Sequence, residues 1–104
     1  MQAVDIKVRS RHRLMEVQVE LASGADRDTR FEYSTEWFDA QGFLIPSFVG
    51  SWFAGDLPGL GSALIQEMAP SPDAVKCTIV CREISRDRQR HIPAQPLSLC
   101  INSD

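Results

Sequence analysis

The chain has 104 residues, which is the size of one ordinary domain and too short for two independent hydrophobic cores. Hydrophobic residues make up 43% and charged residues 24%, a balance that is typical of folded proteins and excludes a disordered chain. The net charge of −3 and the pI of about 5.3 exclude an overall attraction to nucleic acid or to an anionic membrane. We therefore expect one folded domain spanning residues 1–104.

The first third of the chain shows a hydrophobic period of two, which indicates strands rather than helices. Apolar and polar residues alternate over residues 4–8 and 15–21, so two half-buried strands are predicted there, joined by a short basic connection at residues 10–13. Residues 22–30 are typical of a loop. A third strand is predicted over residues 31–37. Its buried face is the most aromatic in the chain and consists of Phe31, Tyr33, Thr35 and Trp37.

The remaining strands follow from turn residues and further alternation. Residues 39–42 predict a turn, because Asp bonds its own backbone and Gly supplies a positive φ. A hairpin strand at residues 43–45 follows, and Pro46 suits the edge of a sheet. Residues 55–61 are typical of a loop. Further strands are predicted over residues 62–68, 75–82 and 97–101, separated by turn residues at 69–73 and a long arginine-rich connection at 83–95.

Short strands separated by turns, with hardly a helical window, predict two antiparallel sheets packed face to face. The sequence favours an all-β fold, an immunoglobulin-like antiparallel β-sandwich of about seven strands. Trp37 on the third strand lies where such sandwiches often bury a tryptophan. A small closed barrel is the alternative architecture.

The three cysteines are Cys77, Cys81 and Cys100, an odd number without the spacing of a disulfide scaffold. On an extended strand, Cys77 and Cys81 point to one face about 13 Å apart, which is too far for a disulfide. We expect buried, reduced packing residues. The same separation argues against a zinc site built from these cysteines and His91, unless the segment is helical. No metal and no cofactor are predicted.

Candidate catalytic residues are few, and none forms a convincing constellation. His12 and His91 both lie in arginine-rich connections, and no Gly-x-Ser-x-Gly nucleophile turn is present. Glu32 and Glu36 share one strand face, but that face is predicted to be solvated, where carboxylates keep their ordinary acidity. The glycines of residues 55–61 lack the Lys-Ser or Lys-Thr of a phosphate loop. We therefore predict that the chain is not an enzyme.

Two basic clusters, at residues 9–13 and 82–91, are candidates for binding phosphates. In a sandwich of this strand order they lie at opposite ends, about 20 Å apart. Acidic neighbours dilute both clusters, and no aromatic residues are interleaved for stacking on bases. We expect no nucleic-acid partner, with a cytoplasmic accessory protein of weak nucleic-acid affinity kept as an alternative.

The most apolar stretch spans residues 43–53 and is too short and too interrupted to cross a bilayer. Alternation cannot bury all of its apolar residues on one face. These side chains either fold over the sandwich edge as a lid or form an exposed interaction surface, and an edge strand there could pair with another chain. The candidate surface residues are Phe43, Ile45, Phe48, Trp52 and Phe53.

Residues 31–43 combine an aromatic strand with Trp-aromatic-Asp-x-x-Gly at residues 37–42. This run is similar to the signature of the YcfL-like family of periplasmic lipoproteins of Gram-negative bacteria. The resemblance covers about residues 14–84. It implies an immunoglobulin-like sandwich in the bacterial envelope, held to the membrane by a lipidated cysteine, with no assigned catalytic residues. This sequence differs from that family because it lacks a leader and an anchoring cysteine near Met1. Its three cysteines and its arginine-rich segment after Arg82 are also unusual for the family.

Localisation is therefore expected to be periplasmic or outer-membrane-associated if a leader has been trimmed, and cytoplasmic otherwise. Any membrane contact is expected only through a lipid anchor that this chain lacks. The leading hypothesis is a non-enzymatic envelope domain that docks a protein partner or another copy of itself. The alternative from a different class is a small-ligand or metal-binding domain that uses the cysteines.

Overall fold

A computed structural model of the chain describes residues 1–24, 26–46, 52–84 and 96–103. The described residues confirm the all-β prediction, with eight strands rather than about seven. The strands are β1 (Gln2–Arg11), β2 (Leu14–Ala22), β3 (Thr29–Phe38), β4 (Leu44–Ile45), β5 (Phe53–Leu57), β6 (Ser62–Met68), β7 (Lys76–Ile84) and β8 (Leu97–Asn102).

The strands form two antiparallel sheets. One sheet has three strands in the order β1-β2-β6, and the other has five. In the five-stranded sheet β7 pairs with β3 and β8, while β4 and β5 both pair with the other edge of β3. The chain therefore passes between the sheets after β2, after β5 and after β6. Consecutive strands that lie in different sheets are typical of β-sandwiches.

The core lies between the sheets and follows the predicted alternation in β2 and β3, whereas Val4 and Ile6 of β1, which was predicted to be half-buried, are 49% and 42% exposed. Val17, Val19 and Leu21 of β2 are fully buried, and Trp37 of β3 is 3% exposed as expected. Full burial of one such aliphatic or aromatic side chain contributes about 1.5–3 kcal/mol. The other buried core residues include Phe31, Leu57, Ile65, Cys77, Ile79, Cys81 and Ile101.

The strand β5 was missed because Gly55 and Asp56 resemble turn residues. In the structure Gly55 pairs with Phe31 in the β3–β5 ladder. A Cβ atom at position 55 would lie 2.5 Å from Cζ of the Phe31 ring. Glycine is therefore needed inside this strand because an aromatic ring covers its backbone. The predicted loop at residues 55–61 is wrong for residues 55–57 and shortens to the connection between β5 and β6.

The hairpin between β1 and β2 is tighter than predicted. Arg11 pairs with Leu14, so only His12 and Arg13 form the turn. Both have positive φ, 52° and 66°, which is the pattern of a type I′ turn. Two-residue turns of this type normally carry Asn and Gly, since other L-residues are strained in the left-handed region. The basic connection predicted at residues 10–13 therefore shortens to His12 and Arg13, since Ser10 and Arg11 belong to β1.

Candidate docking surface

The apolar stretch occupies the edge of the five-stranded sheet that β4 and β5 share. β4 pairs with Trp37 and Phe38 at one end of β3, whereas β5 pairs with residues 29–33 at the other end. Phe48 lies outside the described residues. We call the described part of this surface the aromatic edge, and it consists of Phe43, Leu44, Ile45, Trp52 and Phe53.

Phe43 is presented to solvent by the turn predicted at residues 39–42. The Asp39 carboxylate accepts hydrogen bonds from the backbone N–H groups of Gln41 and Phe43, each at 2.9 Å. Gly42 has a φ of 87° and donates its N–H to the Asp39 carbonyl at 3.0 Å. The turn is confirmed, and the Phe43 side chain that follows it is 70% exposed. Ile45, two residues further on, packs partly against the core.

Phe53 ends a row of aromatic rings that leads out of the core. Its ring centroid lies 5.8 Å from that of Tyr33, and Tyr33 lies 6.2 Å from Phe31. Phe31 is buried, whereas Phe53 is 51% exposed. Offset or tilted pairs at these distances add about 0.5–1.5 kcal/mol beyond area burial. The sheet thus holds the inner side of the Phe53 ring and leaves its outer side in water.

Trp52 lies against the outer face of the sheet instead. The Arg82 guanidinium stacks over the Trp52 ring, 3.9 Å from its centroid. Arg82 also donates from Nε to the Glu32 carboxylate, its cross-strand neighbour on β3. Trp52 and Phe53 are therefore separated by the sheet, so the described members of the predicted surface do not form one flat patch. On the same outer face, Lys76 lies 5.5 Å from the Phe38 ring centroid, and Leu44 pairs with Phe38.

A polar pair that sequence reasoning missed links the two sheets. Tyr33 of β3 hydrogen-bonds Glu67 of β6. Burial raises the pKa of the Glu67 carboxyl, and the hydrogen bond from Tyr33 partly offsets that rise. Burial and the Glu67 carboxyl together raise the pKa of Tyr33. The sequence of β6 does indicate that Glu67 points inward, because Glu67 continues the inward alternation of Ala63 and Ile65.

The cysteines divide between two environments. Cys77 and Cys81 are free and buried, as predicted, and burial raises their pKa values to about 12 and about 11. Cys100 is free but exposed, so the expectation that it is buried is wrong. Cys100 pairs with Thr78, and its side chain points to the outer face of the sheet. The side chains of its neighbours Leu99 and Ile101 point toward the core.

The other candidate chemical residues are dispersed. His12 sits in the β1–β2 turn, and His91 lies outside the described residues, as do Arg86, Arg88 and Arg90. Glu36 is exposed on β3. Within the described ranges, no group of three or more His, Cys, Asp or Glu side chains could hold a metal ion. Arg9, from the first basic cluster, donates from Nε to the buried carboxylate of Glu16.

Comparison with known proteins identifies the relatives of this fold. The sequence model of a family described as "Protein of unknown function (DUF1425)" matches residues 1–83, most of the chain. The chain belongs to the DUF1425 family. No curated protein matches it.

Two solved structures share the fold of this DUF1425 domain. A DUF1425 family member from Shewanella sp. pv-4 is 21% identical, with a TM-score of 0.71 over 82% of this chain and 77% of that one. The Campylobacter jejuni protein Cj0090 is 17% identical, with a TM-score of 0.68 over 79% of this chain and 85% of that one. At these identities the similarity concerns the fold alone.

Two shallow clefts of this DUF1425 domain lie beside β1, away from the aromatic edge. The first has a volume of about 400 Å³ and is lined by residues of β1 and β2, including the paired Arg9 and Glu16. The second, about 450 Å³, opens between β1 and the segments at Pro72–Ala74 and Ser103. Among the described residues that line the two clefts there is no cysteine or histidine. In the described part of the chain, no helix is long and apolar enough to span a membrane.

Proposed function

We propose that this DUF1425 domain is a non-enzymatic docking domain that binds a protein partner, or a second copy of itself, through the aromatic edge. The observation that carries the proposal is the exposure of Phe43, Leu44, Trp52 and Phe53 along the edge of the five-stranded sheet that β4 and β5 form, although Trp52 and Phe53 lie on opposite faces there. Exposed apolar clusters of this kind usually mark interaction surfaces. Aromatic side chains that are held rigidly by neighbours lose little entropy on binding, which suits them as anchors.

The charges around the aromatic edge support a protein partner. Arg82, Glu32 and Lys76 lie on the outer face beside Trp52 and Phe38. Protein interfaces commonly combine aromatic anchors with arginine and a polar rim. A partner that covers this face would therefore bury the rings and keep the ion pair at the rim.

The absence of catalysis is part of the same proposal. The Cys77 and Cys81 thiols stay protonated at neutral pH because burial raises their pKa values, and a thiol must ionise to act as a nucleophile. The Glu32 carboxylate is engaged by Arg82. Both observations favour a binding role over acyl transfer or glycoside chemistry.

We further infer an immunoglobulin-like arrangement and an envelope location. The order β1-β2-β6 corresponds to strands A, B and E of that fold, and β3-β7-β8 corresponds to C, F and G. The similarity of residues 31–43 to YcfL-like lipoproteins supports a periplasmic or outer-membrane-associated protein. The mass of the N-terminal peptide of the protein isolated from its own cells tests this: a lipidated cysteine supports the envelope proposal, and an unmodified cytoplasmic start contradicts it.

Site-specific photo-crosslinking in the native cells tests the docking proposal. A photoreactive phenylalanine at position 43 should give a discrete crosslinked protein band. The matched control is position 60, since Leu60 is 76% exposed but lies in the β5–β6 loop near the opposite end of β3. A band of twice the chain mass would indicate a second copy. No band at position 43, or the same bands from position 60, would contradict a specific docking surface there.

A further inference from the structure

Within the described part of the chain, β6 has a strand partner on one edge only, and we call its other edge the free edge. Its ladder with β2 runs without a bulge from Ser62 to Met68, and no described strand pairs with its other side. The Ala69 N–H donates a hydrogen bond to the Met15 carbonyl of β2 at 2.8 Å, so the backbone N–H and C=O groups of residue 69 face β2. In an antiparallel ladder, alternate residues face opposite neighbours. The backbone groups of Ser62, Leu64, Gln66 and Met68 therefore point away from β2.

The free edge of β6 lacks the usual protection against pairing. Sheet edges normally carry lysine, proline or a bulge that discourages addition of another strand. The sequence of β6 contains none of these, and its single charged residue, Glu67, faces inward and bonds Tyr33. Its exposed face instead carries two apolar side chains, with Leu64 60% and Met68 40% exposed.

The opposite edge of the same sheet shows the contrast. The outer face of β1 carries Lys7, Arg9 and Arg11, and the β1–β2 ladder has an irregularity between Ala3 and Asp5. Charges and irregular pairing are the protective devices that β6 lacks. The three-stranded sheet is thus protected on one side only.

The β6 sequence is complementary to itself. If two copies pair antiparallel about Gln66, Leu64 of each copy faces Met68 of the other, and Gln66 faces Gln66. Each of these positions directs its N–H and C=O groups toward the free edge, so the backbone groups of all three pair with one another. Glu67 falls opposite Ile65, so no like charges meet across the contact.

We propose that two copies of this chain associate by antiparallel pairing of β6 about a two-fold axis at Gln66, which joins the two three-stranded sheets into one continuous sheet. The contact is isologous and closes on itself, as is usual for dimers. This surface belongs to the other sheet from the aromatic edge, so the proposal stands independently of the docking function.

Charge reversal at the axis tests the proposal with the full chain. Gln66→Lys and Gln66→Glu each place like charges opposite one another across the axis, whereas an equimolar mixture of the two places Lys against Glu. Sedimentation velocity over a concentration series should show wild-type dimers, association about fivefold weaker for each variant alone, and recovered dimers in the mixture. Far-UV circular dichroism confirms that each variant is folded, and Lys7→Gln on β1, which changes the net charge as Gln66→Glu does, controls for a change in charge.

Several results would show that the two copies do not pair through β6. Monomeric wild-type protein throughout the series would overturn the proposal. So would folded single variants that associate as strongly as the wild type, or a mixture that associates no better than its components. Weakening by Lys7→Gln equal to that by Gln66→Glu would also overturn it, because the effect would then come from net charge rather than from pairing at β6.

Discussion

The hydroxyl of Tyr33 on β3 donates a hydrogen bond to the carboxyl of Glu67 on β6, so a polar pair joins the two sheets inside the sandwich. Burial raises the pKa of Glu67 above its ordinary value, and the hydrogen bond from Tyr33 limits that rise. The folded chain therefore binds the Glu67 proton more tightly than the unfolded chain does, and Glu67 makes the stability depend on pH.

The first prediction follows from the direction of this shift. The stabilising contribution of Glu67 protonation is complete below the ordinary pKa of 4.5 and is lost as the pH rises through the raised folded pKa. Glu67→Gln abolishes this dependence. The free energy of unfolding of the wild type minus that of the variant, measured in urea titrations, should fall as the pH rises above the ordinary pKa of 4.5. Parallel pH curves would contradict the assignment, and Glu36→Gln, on the exposed face, is the control.

The second prediction concerns the close approach of Phe31 to Gly55. Gly55→Ala forces the ring or the backbone to move, because the added Cβ would lie 2.5 Å from Cζ of Phe31. The variant should lose about 1–3 kcal/mol of unfolding free energy, the usual range for overpacking. Gly24→Ala is the matched control, since nothing lies within 4 Å of its added Cβ. Equal effects of the two substitutions in chemical denaturation would show that Gly55 is not constrained by the ring.

The third prediction relieves the strain in the β1–β2 turn. His12→Asn with Arg13→Gly supplies the residues that a type I′ turn favours, where the present residues have φ values of 52° and 66°. Relief of left-handed strain should add about 1 kcal/mol of stability and raise the Tm by about 4–8 °C. Differential scanning calorimetry measures the shift. A lower Tm for this double variant would mean that the turn adopts another geometry.

The fourth prediction concerns the Arg82 guanidinium stacked 3.9 Å from the Trp52 ring centroid. A double-mutant cycle with Trp52→Ala and Arg82→Ala should give a coupling energy of about 0.5–1 kcal/mol, as for cation–π pairs at exposed sites. The cycle is measured by denaturant unfolding. Additive effects within experimental error would show that Trp52 is not held by Arg82 and would remove the support for a pre-organised ring.

Local pattern predicted most of this fold, because each of the long strands keeps a period of two. Phe31 and Trp37 alone identify the inward face of β3, and Ala63 and Ile65 identify the inward face of β6. β5 could not be predicted in the same way. The glycine that looks like a turn residue is there because a ring from another strand covers it, and that contact is not local in sequence.

The sequence predicted which residues belong to the candidate surface but not how their side chains are arranged. The sequence identified the aromatic residues of the edge, yet which face each ring takes depends on distant partners. Trp52 is drawn to the outer face by Arg82, thirty residues later, whereas Phe53 packs beside Tyr33. The Tyr33–Glu67 pair was missed for the same reason, since it joins strands of different sheets.

Hydroxyl-radical footprinting tests the docking function most directly, because it does not require a known partner. The extent of oxidation of the Phe43 and Leu60 side chains is compared between the purified chain and the native cells. Both side chains are largely exposed in the structure and should be oxidised in the purified chain. If a partner covers the aromatic edge, oxidation of Phe43 falls in cells while oxidation of Leu60 does not. Equal oxidation of Phe43 in the two settings would contradict the proposed docking surface.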